Sequence, residues 1–196
     1  MIKVLLGIQY FILGIVFITG ALFCFFVFEI QSVISYILFA IVGIILIYFT
    51  LKRDVFSVRI ITIAASASLL LNMVMNLHFY PNLLEYQAGS SIAEVVEEQE
   101  IPVDVIYKLS EEHTWALDFY NRMPVKITTV ENLVDKDNIW VYASGEELEL
   151  LKDAGLDWNK QFSVNDFRIT RLQVKFLDPA SRKKTLHEKY LIHIFK

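Results

Sequence analysis

The chain holds a single cysteine, Cys24, so no disulfide can staple its fold, and cysteine usage leaves the redox compartment undetermined. Charge is almost missing from the first eighty residues, where Lys3, Lys52, Arg53 and Arg59 stand against only Glu29 and Asp54. That scarcity excludes a plain soluble enzyme. No glycine-rich phosphate pattern comes after a strand-like run and no Gly-x-x-x-x-Gly-Lys occurs, so no cofactor is expected. The histidines outside the apolar part, His113, His187 and His193, are scattered without metal-ligand spacing. His187 and His193 read as an exposed pair on a tail strand, and no metal is expected.

The first part does contain three uncharged apolar runs, at about 4–28, 32–51 and 60–79. Each has about 20 residues or more, enough to cross a hydrocarbon core of roughly 30 Å as a helix. The first is longer than a signal-peptide apolar region of roughly 7–15 residues and has one lysine before it, so it reads as an uncleaved span. Residues 1–80 are therefore expected to form three transmembrane helices in contact with membrane lipids, and 81–196 a water-soluble domain.

Lys52, Arg53 and Arg59 gather between the second and third runs, whereas the connection around Glu29 and Gln31 has no base. The positive-inside bias puts that basic linker in the cytoplasm. Three crossings then leave the N-terminus cytoplasmic and deliver residues 81–196 to the extracytoplasmic side. Small residues at Gly7, Gly14, Gly20, Ala21, Ala40 and Gly43 suit close helix approach. Asn72 and Asn76, four apart on the third run, are expected to face another helix or the wall of a polar substrate groove, since amides facing lipid are costly. His78, Phe79 and Tyr80, with Pro81, read as an interfacial belt, or in the case of His78 as a proton-transfer group.

The second part is acidic with a basic end. Residues 81–167 hold 18 acids against 6 bases, and residues 168–196 hold 8 bases against 2 acids. The basic end, with Arg182, Lys183 and Lys184, either neutralises the acidic face or meets anionic lipid phosphates. The acidic balance and extracytoplasmic placement disfavour a nucleic-acid partner.

Local signals predict an alternation of helices and strands. Ser91 and Glu94 have capping-box spacing and start a helix that Pro102 ends. Val103–Leu109 reads as a strand, Ser110–Tyr120 as a helix, Val125–Thr128 as a strand, Val130–Val134 as a helical turn and Ile139–Ala143 as a strand. Glu146–Ala154 is a helix with Ser144 and Glu147 as a capping box and Gly155 as its stop. Phe167–Leu177 and Leu186–Phe195 read as two strands of a C-terminal β-hairpin, with a turn opening at Asp178-Pro179. The expected domain is a small α/β layer with a mostly parallel sheet. Glu111, Glu112, His113 and Asp118 fall on one predicted helix, as an acid/base set or as acidic residues at a helix N-terminus.

Tyr86-Gln87-Ala88-Gly89-Ser90, Leu117-Asp118-Phe119-Tyr120-Asn121-Arg122, Trp140-Val141 and Arg168 through Tyr190 occur in an order that resembles bacterial membrane glycosyltransferases. Within the last stretch, Thr170 to Arg182 is similar to their closing segment. These enzymes are similar to dolichyl-phosphate-mannose protein mannosyltransferases and lipid A aminoarabinose transferases. The resemblance implies the C-terminal portion of a longer inner-membrane enzyme, which moves a sugar from a polyprenyl-phosphate donor to an envelope acceptor with inversion. In such enzymes the first large extracytoplasmic loop supplies the acidic catalytic residue. The connection around Glu29 is too short for that loop, so no catalytic residue carries over, and a catalytic membrane domain or subunit is the expected partner. Tyr86, Gln87, Asn72 and Asn76 would border the lipid-linked sugar, and Arg182, Lys183 and Lys184 would meet its phosphate. The alternative is a non-enzymatic, membrane-anchored protein-binding module.

Overall fold

The structure, a computed structural model, describes residues 2–30, 33–51 and 56–195. Lys52 and Arg53, which carry most of the orientation expectation, lie outside the described residues, as does Gln31. The chain divides into two compact units, one reaching from the N-terminus through Asn82 and including Phe176–Ser181, the other holding Leu83–Lys175 and the residues from Arg182 on.

In the first unit, α1 (Ile2–Leu22) runs on into a wide π-helical turn, Phe23–Val27. Next come α2 (Val33–Leu51) and α3 (Phe56–Val74). α3 passes through a second π turn, Met75–Phe79, into the short α4 (Tyr80–Leu84). The second π turn has a local cause. Pro81 lacks an N–H, and its ring would collide with the carbonyl one α-turn back, so the widened turn lets the helix continue past a residue that would otherwise break it. Pro81 thus sits within the helical stretch. Two helical stretches, Val4–Val27 and Phe56–Leu84, are long and apolar enough to cross a membrane. On α3 the buried positions Ile63, Ser66, Ala67, Leu70 and Val74 recur every three or four residues and form the face packed on α1. Gly20 lies against α3, since a Cβ there would lie 3.2 Å from a Val74 methyl, while Gly7, Gly14 and Gly43 face open space.

The second unit begins with α5 (Ala88–Glu98), then β1 (Ile106–Lys108), α6 (Trp115–Tyr120), β2 (Lys126–Ile127), α7 (Val130–Val134) and β3 (Ile139–Ser144). Then come α8 (Gly145–Asp153), β4 (Lys160–Asp166) and β5 (His187–Ile194), with two short helices, α9 (Val174–Leu177) and α10 (Pro179–Arg182), between the last two strands. The five strands form one mixed sheet in the order β2-β1-β3-β5-β4.

The inner strands β1, β3 and β5 alternate between two cores. Ile106, Trp140 and Leu191 pack under α5 and α6 with Ile92, Val96 and Leu117, while Ile139, Val141, Ala143, Ile192 and Ile194 pack under α7 and α8 with Leu133, Leu148 and Leu151. The capping box is formed as expected. Ser144 Oγ accepts from the Glu147 N–H at 3.3 Å, and the Glu147 carboxylate accepts from the Ser144 N–H at 2.6 Å.

Three expectations are corrected. The sheet is not mostly parallel: β1 pairs in parallel with β2 and β3, but the longer ladders, β3 with β5 and β5 with β4, are antiparallel. Phe167–Leu177 is not a strand; it holds a 3-10 turn at Ile169–Arg171 and then α9. The strand antiparallel to β5 is instead β4, and Asp178 does not open a hairpin turn. Its carboxylate accepts from the Ala180 N–H at 3.0 Å and the Ser181 hydroxyl at 3.0 Å, capping α10 with Pro179 in the first turn. Finally, α5 starts at Ala88 rather than Ser91, because Asp166 Oδ1 accepts from the Ala88 N–H at 3.2 Å and caps the helix from a distant strand.

Candidate functional site

β4 and β3 both run antiparallel to β5, so β1, β3 and β4 point the same way and their carboxyl ends share one edge of the sheet. In open α/β sheets that edge is where loops diverge and leave a crevice. Here a cleft of about 400 Å³ opens there, between the start of α5, the loop from β1 into α6, the end of β4 and the start of β5.

The loop is shaped by a buried lysine. Lys108, last in β1, donates from Nζ to the Glu112 carbonyl at 2.6 Å and to Thr114 Oγ1 at 3.1 Å. The Thr114 hydroxyl passes its own hydrogen to Asp118, whose Oδ1 also accepts from the Val125 N–H at 2.8 Å. A buried cation thereby reaches a carboxylate through one hydroxyl, and the chain from β1 to the segment before β2 is held in place. Residues 110–114 are consequently loop. Glu111, Glu112, His113 and Asp118 do not share a helix: Asp118 is spent on structure, Glu112 lines the cleft, and the His113 ring stacks on Trp115 at 4.7 Å.

Across the cleft, Lys189 donates to the Glu112 carboxylate at 2.7 Å and lies 5.8 Å from the centre of the Tyr142 ring. Burial, reinforced by the Asp166, Glu112 and Glu147 carboxylates, pushes the Tyr142 phenol far above its ordinary value, so it stays a protonated donor at any physiological pH. Asp166 and Arg168 complete the polar wall, and Gln87 stands at its rim.

Of the residues singled out from sequence, Gln87 lines this cleft. Tyr86 is met by Arg182, whose guanidinium lies 5.7 Å from the ring centre, and its carbonyl accepts from the Phe167 N–H at 2.8 Å. Lys183 and Lys184 are exposed on the turn before β5. Among the described residues, Asn72 and Asn76 bond along their own helical stretch. Both are exposed, and each amide donates to the carbonyl four residues earlier, Ser68 at 2.8 Å and Asn72 at 2.9 Å. Self-bonded in this way, an amide loses much of its cost in an apolar surrounding.

His78 is not at an exposed interface. It is buried, with Nε2 2.6 Å from the Phe28 carbonyl. Sequence patterns do not single out Lys189, Tyr142, Asp166 or Trp115. One signal exists for Lys189, which shares the strand face of Leu191 and His193 and is thus a cation at an inward-facing position. No protein-family model matches the chain, and comparison with curated proteins and with solved structures found no match.

Proposed function

We propose that this chain is part of an integral-membrane glycosyltransferase that uses a polyprenyl-phosphate sugar as donor and a cell-envelope molecule as acceptor. Its three apolar helices lie in the bacterial inner membrane, with the N-terminus cytoplasmic and the α/β unit extracytoplasmic. The acidic catalytic residue comes from a membrane domain or subunit beyond these residues. Tyr86 and Gln87 border the sugar, and Arg182, Lys183 and Lys184 offer charge to the lipid phosphate.

The observation that carries this reading concerns the segment that resembles the enzymes' closing stretch. Within it, Phe176 is fully buried and belongs to the helical unit, its ring 6.3 Å from that of Phe28. An aromatic of that segment buried within the apolar helical unit supports the reading of this stretch as a membrane enzyme's tail. The test is transfer of labelled sugar from a polyprenyl-phosphate donor by source membranes, with and without this chain. Loss of transfer on deletion, restored by the wild-type chain and only weakly by Y86A/Q87A, is expected; undiminished transfer after deletion overturns the reading.

A second reading, a non-enzymatic module that holds an envelope protein, is favoured by Phe119 and Tyr120, which stand exposed on α6. Under that reading the purified full chain captures a defined partner, F119A/Y120A loses it, and deletion leaves transfer intact.

A further inference from the structure

The cleft at the carboxyl ends of β1, β3 and β4 has a composition that selects among ligands. Its charged groups are Lys189 and Arg168 against Glu112 and Asp166, two of each sign. A phosphate would meet two carboxylates and a divalent cation would meet two bases, so neither is favoured. A ligand whose groups both donate and accept, with no net charge, matches all four and the Tyr142 hydroxyl as well. Hydroxyl groups on a small ring have that character.

The rim adds a flat apolar surface. Trp115 is 72% exposed, and its indole is held in place by the stacked His113 ring at an interplanar angle of 18°. Ordering a large aromatic in water brings no packing gain by itself; the gain comes when another flat, partly apolar face covers it. A pyranose ring has such a face in its axial C–H groups and hydroxyls around its edge. A volume of about 400 Å³ lies near the small end of ligand pockets, which run roughly 300–1,000 Å³.

We propose that this cleft is a saccharide-binding subsite for a neutral pyranose unit, with the ring laid on Trp115 and its hydroxyls shared among Glu112, Asp166, Arg168, Lys189 and Tyr142. The site rests on the α/β unit alone and stands or falls apart from the transfer reaction.

The experiment uses the full chain in lipid nanodiscs and saturation-transfer NMR. Methyl glucoside, methyl mannoside, methyl galactoside and methyl N-acetylglucosaminide are titrated through the millimolar range, where small ligands with few contacts bind. At least one glycoside should receive saturable magnetisation on its ring protons. W115A should weaken that signal about tenfold or more, W115F should keep most of it, and D166N should weaken it as well. Trp115 is exposed enough that its truncation leaves the fold intact, which the unchanged amide spectrum verifies. Saturation by none of the four sugars, wild-type binding by W115A, or displacement of the sugar by inorganic phosphate would each overturn the subsite. Sugar binding without any effect of the chain on transfer would leave the subsite standing and remove the enzyme reading.

Discussion

His78 Nε2 lies 2.6 Å from the carbonyl oxygen of Phe28, fifty residues earlier, and both residues are buried in the helical unit. Since the carbonyl only accepts, Nε2 carries the hydrogen. The Asn82 amide lies 3.4 Å from Nδ1 and also donates to the His78 carbonyl at 2.7 Å. This bond ties the residue that ends the first helical stretch to the π turn of the third. H78A removes a buried donor from the Phe28 carbonyl, a loss of about 1–3 kcal/mol. Thermal unfolding in detergent should show a lower midpoint for H78A and a partial recovery for H78Q; equal midpoints for H78A and wild type would mean the bond contributes nothing.

Lys189 and Glu112 are an unequal pair, with side chains 11% and 63% exposed. Removing the carboxylate strands a mostly buried ammonium, while removing the lysine frees a carboxylate that water already reaches. E112A should therefore cost about 1–2 kcal/mol, and K189M less, with the double variant below the sum. Denaturant unfolding of the four proteins checks this, and a larger loss for K189M than for E112A would contradict the assignment of which partner is desolvated.

These two sites also show how far the sequence is legible. The apolar helices, α7 and the Ser144/Glu147 box can be read because their causes lie within a few residues. Local signals place the start of α5 three residues late because its cap, Asp166, comes from 78 residues away. Phe167–Leu177 alternates like a strand, yet Phe176 is buried in the helical unit and the segment coils. The sheet's mixed direction arises from β5 entering between β3 and β4, a non-local choice that no local pattern records. The cleft shares that fate. Glu112 is visible in the sequence as one acid among several, but Lys189, Tyr142 and Asp166 meet it only through strand pairing.

Gly89 lies where α5 meets α6. A Cβ added there would sit 2.9 Å from the Leu117 backbone nitrogen and 3.0 Å from Ala116 Cβ. Backbone cannot retreat as a flexible side chain can, so G89A should push the two helices apart and cost about 1–3 kcal/mol. Because Gly89 also lines the cleft, the same variant should weaken any ligand held there. Unfolding curves that overlay the wild type would show that α6 is free to shift.

His193 makes the stability of the α/β unit depend on pH. Its ring stacks on Trp140 at 4.6 Å, and its two nitrogens meet the side-chain amides of Asn159 at 2.8 Å and Asn138 at 2.9 Å, one of which turns its NH2 to the ring when the imidazole is neutral. Burial, then the nearby Lys160 charge, hold its pKa below the ordinary 6.5, with Asp137 opposing. In the unfolded chain the imidazole takes a proton as pH falls through about 6.5, while the folded chain resists until a lower pH. The unfolded state therefore binds more protons in that interval, and stability falls as the solution is acidified below about 6.5, levelling off once the folded ring is also charged. At higher pH the group adds no slope. H193F keeps an aromatic on Trp140 and has nothing to titrate, so its unfolding free energy should lose this part of the acid slope. An H193F slope equal to the wild type between neutrality and mild acid would move the pH dependence to the carboxylates.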